Sequence, residues 1–455
     1  MTEFIWSVTG IYFTMIIKKH RSAIGILTIA LPLLLATACN TGPENSRKRY
    51  VDLEVWLHSG SESERRVLQE QVLRFNSSQQ KIRVNAVILP AGTYRARIQA
   101  AARTGKLPDI LEFNGPLAYP YIWRQELIPL DKLLTDNIRD DLLPSVLRQS
   151  MFQGRIYLLA THESTAVLYG RRSKLLKIGV RIPETRAEAW TSQEFSHLLG
   201  LLARQDNDGR VLDLKLNRQG EWQTFAFAPA LWSANGALTH PRNFPYASGL
   251  INGPASIAAM RVLQSWARQS YVDSNKDDNA FASGRVSLSW ADQSEYSRYR
   301  QAVGDDLVIL PLPDFGNGSR SGQGGWAWSV SSNCRNSRAA MHFLEFLFRP
   351  DEVLKMANAS ETVPATRSAI ERSPRYRKGG PLNLFVQQLE TSTVFRPQSA
   401  AYPEISAAFQ RAFKEILHGG DVKKALDKAA LVIDQAIKDK QDDTSPKRVK
   451  DAASM

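Results

Sequence analysis

Cysteine is nearly missing from this chain: Cys39 and Cys334 are the two present in 455 residues. A disulfide framework is thereby excluded, and stability has to come from a buried core. Histidine is scarce too, and no two of His20, His58, His162, His197, His240, His342 and His418 have metal-ligand spacing. There is no His-Glu-x-x-His run and no Gly-x-Ser-x-Gly elbow; Gly318-Ser319-Arg320-Ser321-Gly322 places arginine at the centre. Paired carboxylates leave no sequence signature, so motifs alone leave a glycosidase open. Long basic runs, internal repeats and low-complexity tracts are absent as well. The net charge is +13, but it is spread along the chain without aromatic-basic interleaving, which argues against nucleic acid.

What is present is a globular composition, 43% hydrophobic and 23% charged. The chain is long enough to bury a core and too long for one ordinary core, so two domains are expected.

The N-terminus carries a processing signal. Lys18, Lys19 and Arg21 precede the apolar run Ala23–Leu35, which ends in Ala36-Thr37-Ala38 directly before Cys39. A basic region, a short apolar region and a small-residue site describe a secretory signal peptide. The run is short for a membrane span and contains Pro32. The cysteine after the small residues resembles the bacterial lipobox, which implies lipidation and cleavage at Cys39. Residues 1–14 make an odd start, and Met15 is the more natural one. We therefore read 1–38 as signal peptide and 39–49 as a lipidated polar linker. The signal carries only Lys18, Lys19 and Arg21 against Glu3, so the mature chain stays basic.

Along the mature chain, Val51–Leu57 and Ile82–Leu89 alternate as strands, and Asp109–Phe113 is a short third one. Helices are expected between them, one carrying Val67, Leu68, Val72 and Phe75, the other over Tyr94–Arg103. That order favours a parallel sheet with its ligand site beyond the carboxyl ends of the strands. A second α/β region follows, with strands at Ala166–Tyr169 and Val286–Trp290 and helices at Ser192–Ala203 and Ser256–Arg268. The last third is helical, and residues 439–455 read as a disordered tail.

Four segments then resemble one family. They are Trp56…Gly60…Phe75-Asn76 with Pro108-Asp109-Ile110; Leu168-Tyr169-Gly170-Arg171-Arg172-Ser173-Lys174-Leu175; Phe281-Ala282-Ser283-Gly284-Arg285-Val286; and Gly324-Gly325-Trp326-Ala327-Trp328 followed by a helix ending Phe346-Leu347. In order and spacing they are similar to the maltose-binding-like extracellular solute-binding proteins, family 1. Two places depart from that pattern: Trp190 is displaced from Thr185, and Ser360-Glu361-Thr362-Val363-Pro364 stands where the family has a Gly-rich turn.

The resemblance implies an α/β, two-lobed periplasmic-binding-protein fold of type II, with discontinuous lobes joined by a hinge. Lobe 1 is expected over 50–162 plus 311–364 and lobe 2 over 163–310 plus 365–438. Crossings are expected near Thr161–Glu163, Leu310–Pro313 and Pro364–Arg367. It also implies a monomeric component of an ABC importer, exported and held at the membrane by its lipid, which delivers a mono- or oligosaccharide to the permease subunits. No cofactor, metal or catalytic residue is expected.

A sugar has apolar C–H faces and a rim of hydroxyls, which call for aromatic rings and polar side chains respectively. Trp326, which follows Gly324-Gly325, is the first choice as a stacking platform. Trp290 with Asp292, and Trp232 with Asn235, are further candidates. Ser61, Glu62 and Asn114 lie in turns after first-lobe strands, Glu163 lies at the first crossing, and Glu361 and Arg396 are added from the C-terminal third. The basic balance leaves an anionic solute, such as a uronate or a sugar or glycerol phosphate, as the alternative ligand. A sensor receptor or an adhesin is the alternative to transport.

Overall fold

The computed structural model describes residues 50–240 and 245–442. The signal peptide over 1–38, the linker over 39–49 with Cys39, and residues 443–455 of the expected tail lie outside them. Residues 439–442 are not tail: they finish a helix that runs Val422–Asp442.

The chain opens with β1 (Val51–His58), α1 (Glu62–Ser78), β2 (Ile82–Leu89), α2 (Ala91–Arg103) and β3 (Ile110–Asn114). Each forms for a local reason. In β1 Leu53, Val55 and Leu57 alternate into the core. The N-terminus of α1 is fixed by a capping box between Ser61 and Glu64. β1 pairs in parallel with β2 and β3, as right-handed strand–helix–strand units require. After the short helix α3 (Pro144–Gln149) comes the ten-residue strand β4 (His162–Arg171), longer than the Ala166–Tyr169 expected.

Further along the chain come β5 (Leu212–Asp213), α4 (Trp222–Ser233), α5 (Pro254–Arg268), β6 (Val272–Asp273), β7 (Leu288–Asp292), β8 (Leu307–Leu310), β9 (Ser321–Gly324) and β10 (Trp326–Val330). α6 (Ser337–Leu347), β11 (Val363–Pro364), β12 (Thr393–Val394), α7 (Tyr402–Leu417) and α8 (Val422–Asp442) complete it.

Two sheets result. The first has the order β10-β3-β1-β2, with β10 antiparallel on β3. The second is organised on β4, which pairs in turn with β11, β9, β7 and β8. Along β4, Ala166 and Leu168 enter one core while Val167 and Tyr169 enter the other, as a period of two dictates.

Two expectations about the lobes are corrected here. Leu312 packs in the second core and Ser321–Gly324 pairs within the second sheet, so the segment assigned to lobe 1 from residue 311 does not start there. The chain changes sheets at Gly325, between β9 and β10, and the crossing expected at Leu310–Pro313 moves to that point. A Cβ at Gly325 would lie 2.9 Å from the His162 carbonyl oxygen, so two crossing strands pass there at glycine distance. Tyr376, Phe385 and Leu389, expected in lobe 2, pack in the cluster that contains Leu53, Val55 and Ile110 of the first sheet.

Gly322 shows the same closeness inside the second unit. An added Cβ would sit 2.1 Å from the Phe225 carbonyl oxygen and 3.0 Å from its carbon. Backbone cannot step aside as a side chain does, so Gly322→Ala is expected to lower stability by about 2 kcal/mol or more. Urea unfolding checks this against Gly92→Ala, where nothing lies within 4 Å.

Candidate functional site

A cavity of about 980 Å³ opens between two walls that belong to different parts of the sequence. One wall is the start of α2 with Tyr94 and Arg95, the end of β3 with Phe113 and Asn114, and Tyr121 and Trp326. The other is Gln219–Glu221 ahead of α4, Ala400, Pro403 and Glu404 around the start of α7, and Lys440 near the end of α8. The site lies beyond the carboxyl ends of β1 and β3, where a parallel sheet places ligands.

Trp326 is held in position from behind. The His58 ring stacks on it at 3.6 Å with an interplanar angle of 7°, and Tyr94 meets it edge-on at 5.6 Å. His58 is oriented by Glu112, whose Oε2 lies 2.8 Å from its Nδ1. The Tyr94 hydroxyl is tied into the sheet, 2.9 Å from the Glu112 carbonyl oxygen and 3.1 Å from that of Trp56. Trp326 is half-buried: its rear face is covered, and it lines the cavity. A rigid aromatic plane over an open space is a platform for an apolar molecular face.

The opposite wall is equally fixed. Glu221 accepts from the Tyr402 hydroxyl at 2.5 Å, from Ser406 Oγ at 2.9 Å and from Arg396 Nη1 at 3.4 Å. The rim carries both charge signs, with Arg124 paired to Glu126 at 2.8 Å and Lys440 3.9 Å from Glu404. Behind the wall lies Glu163, completely buried, whose carboxyl is pushed up to about 8. Burial is the main cause; the Arg396 charge, the Ser164 backbone N–H and the Gln323 amide oppose it.

A family model described as bacterial extracellular solute-binding protein matches residues 70–379. The chain belongs to that family. Solved structures show the same fold at low identity. The cyclic alpha-maltosyl-1,6-maltose binding protein from Arthrobacter globiformis matches with a TM-score of 0.72 at 20% identity, covering 86% of this chain and 100% of that one. The sugar-binding protein MalE from Xanthomonas citri gives 0.72 at 16%, covering 86% and 98%. The maltose/maltodextrin-binding domain MalE from Bdellovibrio bacteriovorus, bound to maltotriose, gives 0.68 at 18%, covering 85% and 100%. A comparison with curated proteins found no match. As an extracellular solute-binding protein of the two-lobed type II fold, the chain is exported and binds its solute rather than turning it over.

Of the residues singled out in its sequence, this solute-binding protein brings Asn114 and Trp326 to the cavity wall. Glu163 and Arg396 sit together behind it, each acting on the other's charge. The others are elsewhere, for stated reasons. Ser61 is spent on capping α1, and Glu62 pairs with Arg66 on the helix surface at 3.2 Å. Trp290 is 1% exposed and packs on Phe227, because its position along β7 points into the second core. Asp292 binds Arg218 at 2.8 Å and caps the next turn through Ser294. Trp232 packs against the second core, and Asn235 takes φ 66° where α4 ends, a helix-terminating role. Glu361 takes φ 54° and accepts from the Ser297 backbone N–H at 3.3 Å.

Tyr94, Tyr121, Glu221 and Lys440 were missed. Tyr94 is at helical spacing with Ile98 and Ala101 and reads as core, which it also is. Glu221 follows Gly220 directly ahead of an apolar helix, and that junction was the available signal.

Proposed function

We propose that this protein captures a neutral oligosaccharide in the cavity between its two walls and delivers it to the membrane permease of an ABC importer. The observation that carries this reading is the Trp326 platform, backed by His58, over a cavity of about 980 Å³ with a polar rim. The size falls within the ~300–1,000 Å³ of small-molecule sites. A flat aromatic with hydrogen-bonding groups around it matches the two surfaces of a pyranose. Of the cations that line the cavity, Arg124 and Lys440 have carboxylate partners while Arg95 and Arg103 have no ion pair among the described residues, so it is the aromatic platform, not the charge of the rim, that favours an uncharged solute over a uronate or a phosphate. The likeness in fold to proteins described as binding maltotriose and a cyclic maltosyl-maltose supports the same class.

A thermal-shift panel of maltotriose, mannotriose, cellobiose, glucuronate and glycerol phosphate tests this. A neutral saccharide at about 100 times its Kd is expected to stabilise the protein by about 2.7 kcal/mol. A shift with the anionic solutes alone would overturn the reading.

Cys39 anchors the exported protein, in the same proposal, through acyl chains that add about 0.8 kcal/mol of membrane affinity per buried CH₂. Cys39→Ser is expected to move the protein from the membrane to the soluble fraction and to abolish labelling by a fatty-acid probe. Retention of both would sink the anchor.

A further inference from the structure

The ring that backs the Trp326 platform can carry a charge. His58 ends β1 and lies parallel to the indole, with centroids 3.6 Å apart and planes 7° from each other. Its side chain is 13% exposed, and its Nδ1 is 2.8 Å from Oε2 of Glu112, whose side chain is 7% exposed. The His58 backbone N–H donates to the same oxygen at 3.4 Å. A carboxylate this close keeps a proton on Nδ1 and favours a second one on the ring.

The surrounding groups decide where a proton goes. Glu112 reaches His58 from β3, and Tyr94 on α2 meets it edge-on at 6.4 Å. Arg65 on α1 donates at 2.9 Å to the Ser59 and Gly60 carbonyls, in the turn directly after His58. A second histidine stands nearby: His162 on β4, whose charge is felt by Glu64 on α1, by Glu112 and by His58. Glu112 and His162 also line one small cavity of about 10 Å³ with Thr161 and Gln71. Two imidazoles therefore bear on one carboxylate, and a charge on either disfavours a charge on the other. His162 is buried, its Nδ1 is 3.1 Å from Thr161 Oγ1, and burial lowers its pKa. The proton goes to His58, which is partly exposed and directly paired with Glu112.

We propose that His58 tunes the platform by its charge: neutral, it leaves the indole a good base for a saccharide, and protonated it weakens that base, so affinity falls on acidification. This rests on the saccharide reading and adds a regulation to it. The face of an aromatic ring is negative, and the C–H groups of a sugar present their slightly positive hydrogens to it. An imidazolium stacked on the rear face draws on the same π density, as any cation over a ring does. It also sets a positive charge behind the face that those hydrogens meet. Proton and solute thus compete through one ring without touching, and the coupling is reciprocal: bound solute loosens the His58 proton. An anionic solute would respond in the opposite sense, because the added charge attracts it. His58 acts through Trp326 and is a positioning residue.

Titration calorimetry of the wild-type protein with maltotriose and with mannotriose, from pH 8 down to pH 5.5, tests the assignment. The expected loss of affinity over that range is about threefold to tenfold, the size of one cation–π contact. The heat of binding should also vary with the ionisation heat of the buffer, since a proton is released. His58→Phe combined with Glu112→Gln keeps a flat ring under the indole and removes both charges. Its affinity, whatever its size, is expected to be the same at every pH. Glu163 and His162 remain in that variant, so a pH dependence that persists there belongs to them and overturns the assignment. Should the variant not fold, the His58 imidazole signals of the wild type, followed by NMR, replace it. Saturating maltotriose is expected to move their titration down by about 0.5–1 pH unit, the same coupling read from the other side; an unmoved titration overturns the proposal. Affinity that stays level or rises on acidification overturns it as well, and sinks the tuning alone. If the wild type binds neither sugar at any pH, the saccharide reading falls and the tuning with it.

Discussion

Trp326→Ala is expected to weaken saccharide binding by about 100-fold, close to 3 kcal/mol, while costing the free protein only about 1 kcal/mol. The asymmetry follows from the geometry. Trp326 is half-buried, with His58 stacked on it at 3.6 Å and Tyr94 edge-on at 5.6 Å, and it packs at the margin of the first core, so its loss opens no deep void. Among the described residues its ring contacts are His58 and Tyr94, and it also lines the cavity, so the platform contact is made when the solute is bound. Trp326→Phe keeps a plane at the same place and is expected to stay within about tenfold of wild type. Calorimetric titration of the three proteins decides the matter, alongside urea midpoints. Equal affinity in Trp326→Ala would remove the platform from the site. A loss of several kcal/mol of stability would show that the ring is a core residue instead.

The second large effect is on stability against pH, and it resides in Glu163. Burial holds its carboxyl at about 8 in the folded protein, against an ordinary value of 4.5. Below pH 4.5 the folded and unfolded chains both hold the proton. Between there and about 8 the unfolded chain releases it and the folded chain keeps it, so stability falls as pH rises. The slope approaches ~1.4 kcal/mol per pH unit and levels off above pH 8. His162 works against it: burial lowers its pKa, so the unfolded chain takes up a proton first on acidification and stability falls below its ordinary range. The comparison therefore has to be made against a variant. Urea unfolding at pH 5, 6, 7 and 8 should show the wild type losing more stability across this range than Glu163→Gln. Parallel curves for the two proteins would mean that Glu163 is ionised in the fold.

Much of the fold was legible because period and turn chemistry are local. Val51–Leu57, Ile82–Leu89 and Ser192–Ala203 match the observed elements within a residue at each end. The sheet change at Gly325 was not legible. Gly322–Val330 reads as one uninterrupted segment, and only the partners Ser164 on one side and Asn114 on the other separate it into two strands of different sheets. The site divided in the same way. Trp326 and Asn114 are near glycines and strand ends that the sequence displays. Trp290 has the same kind of neighbourhood, yet the parity of β7 turns it into the core. The buried pair of Glu163 and Arg396 joins positions far apart in sequence, and no local pattern announces that they meet.

The way the sheets are closed also bears on how the chain reaches its compartment. β3 waits for β10 before the first sheet has its antiparallel edge, and β4 waits for β9, β11 and, through β9, β12. Every one of those partners lies beyond residue 320. A chain threaded outward from its N-terminus can therefore complete neither sheet until about three quarters of it has crossed. Pairings this distant in sequence form late and slowly. Only the parallel pairing of β1 with β2 and β3 is available early, and both finished sheets wait for the C-terminal third of the chain.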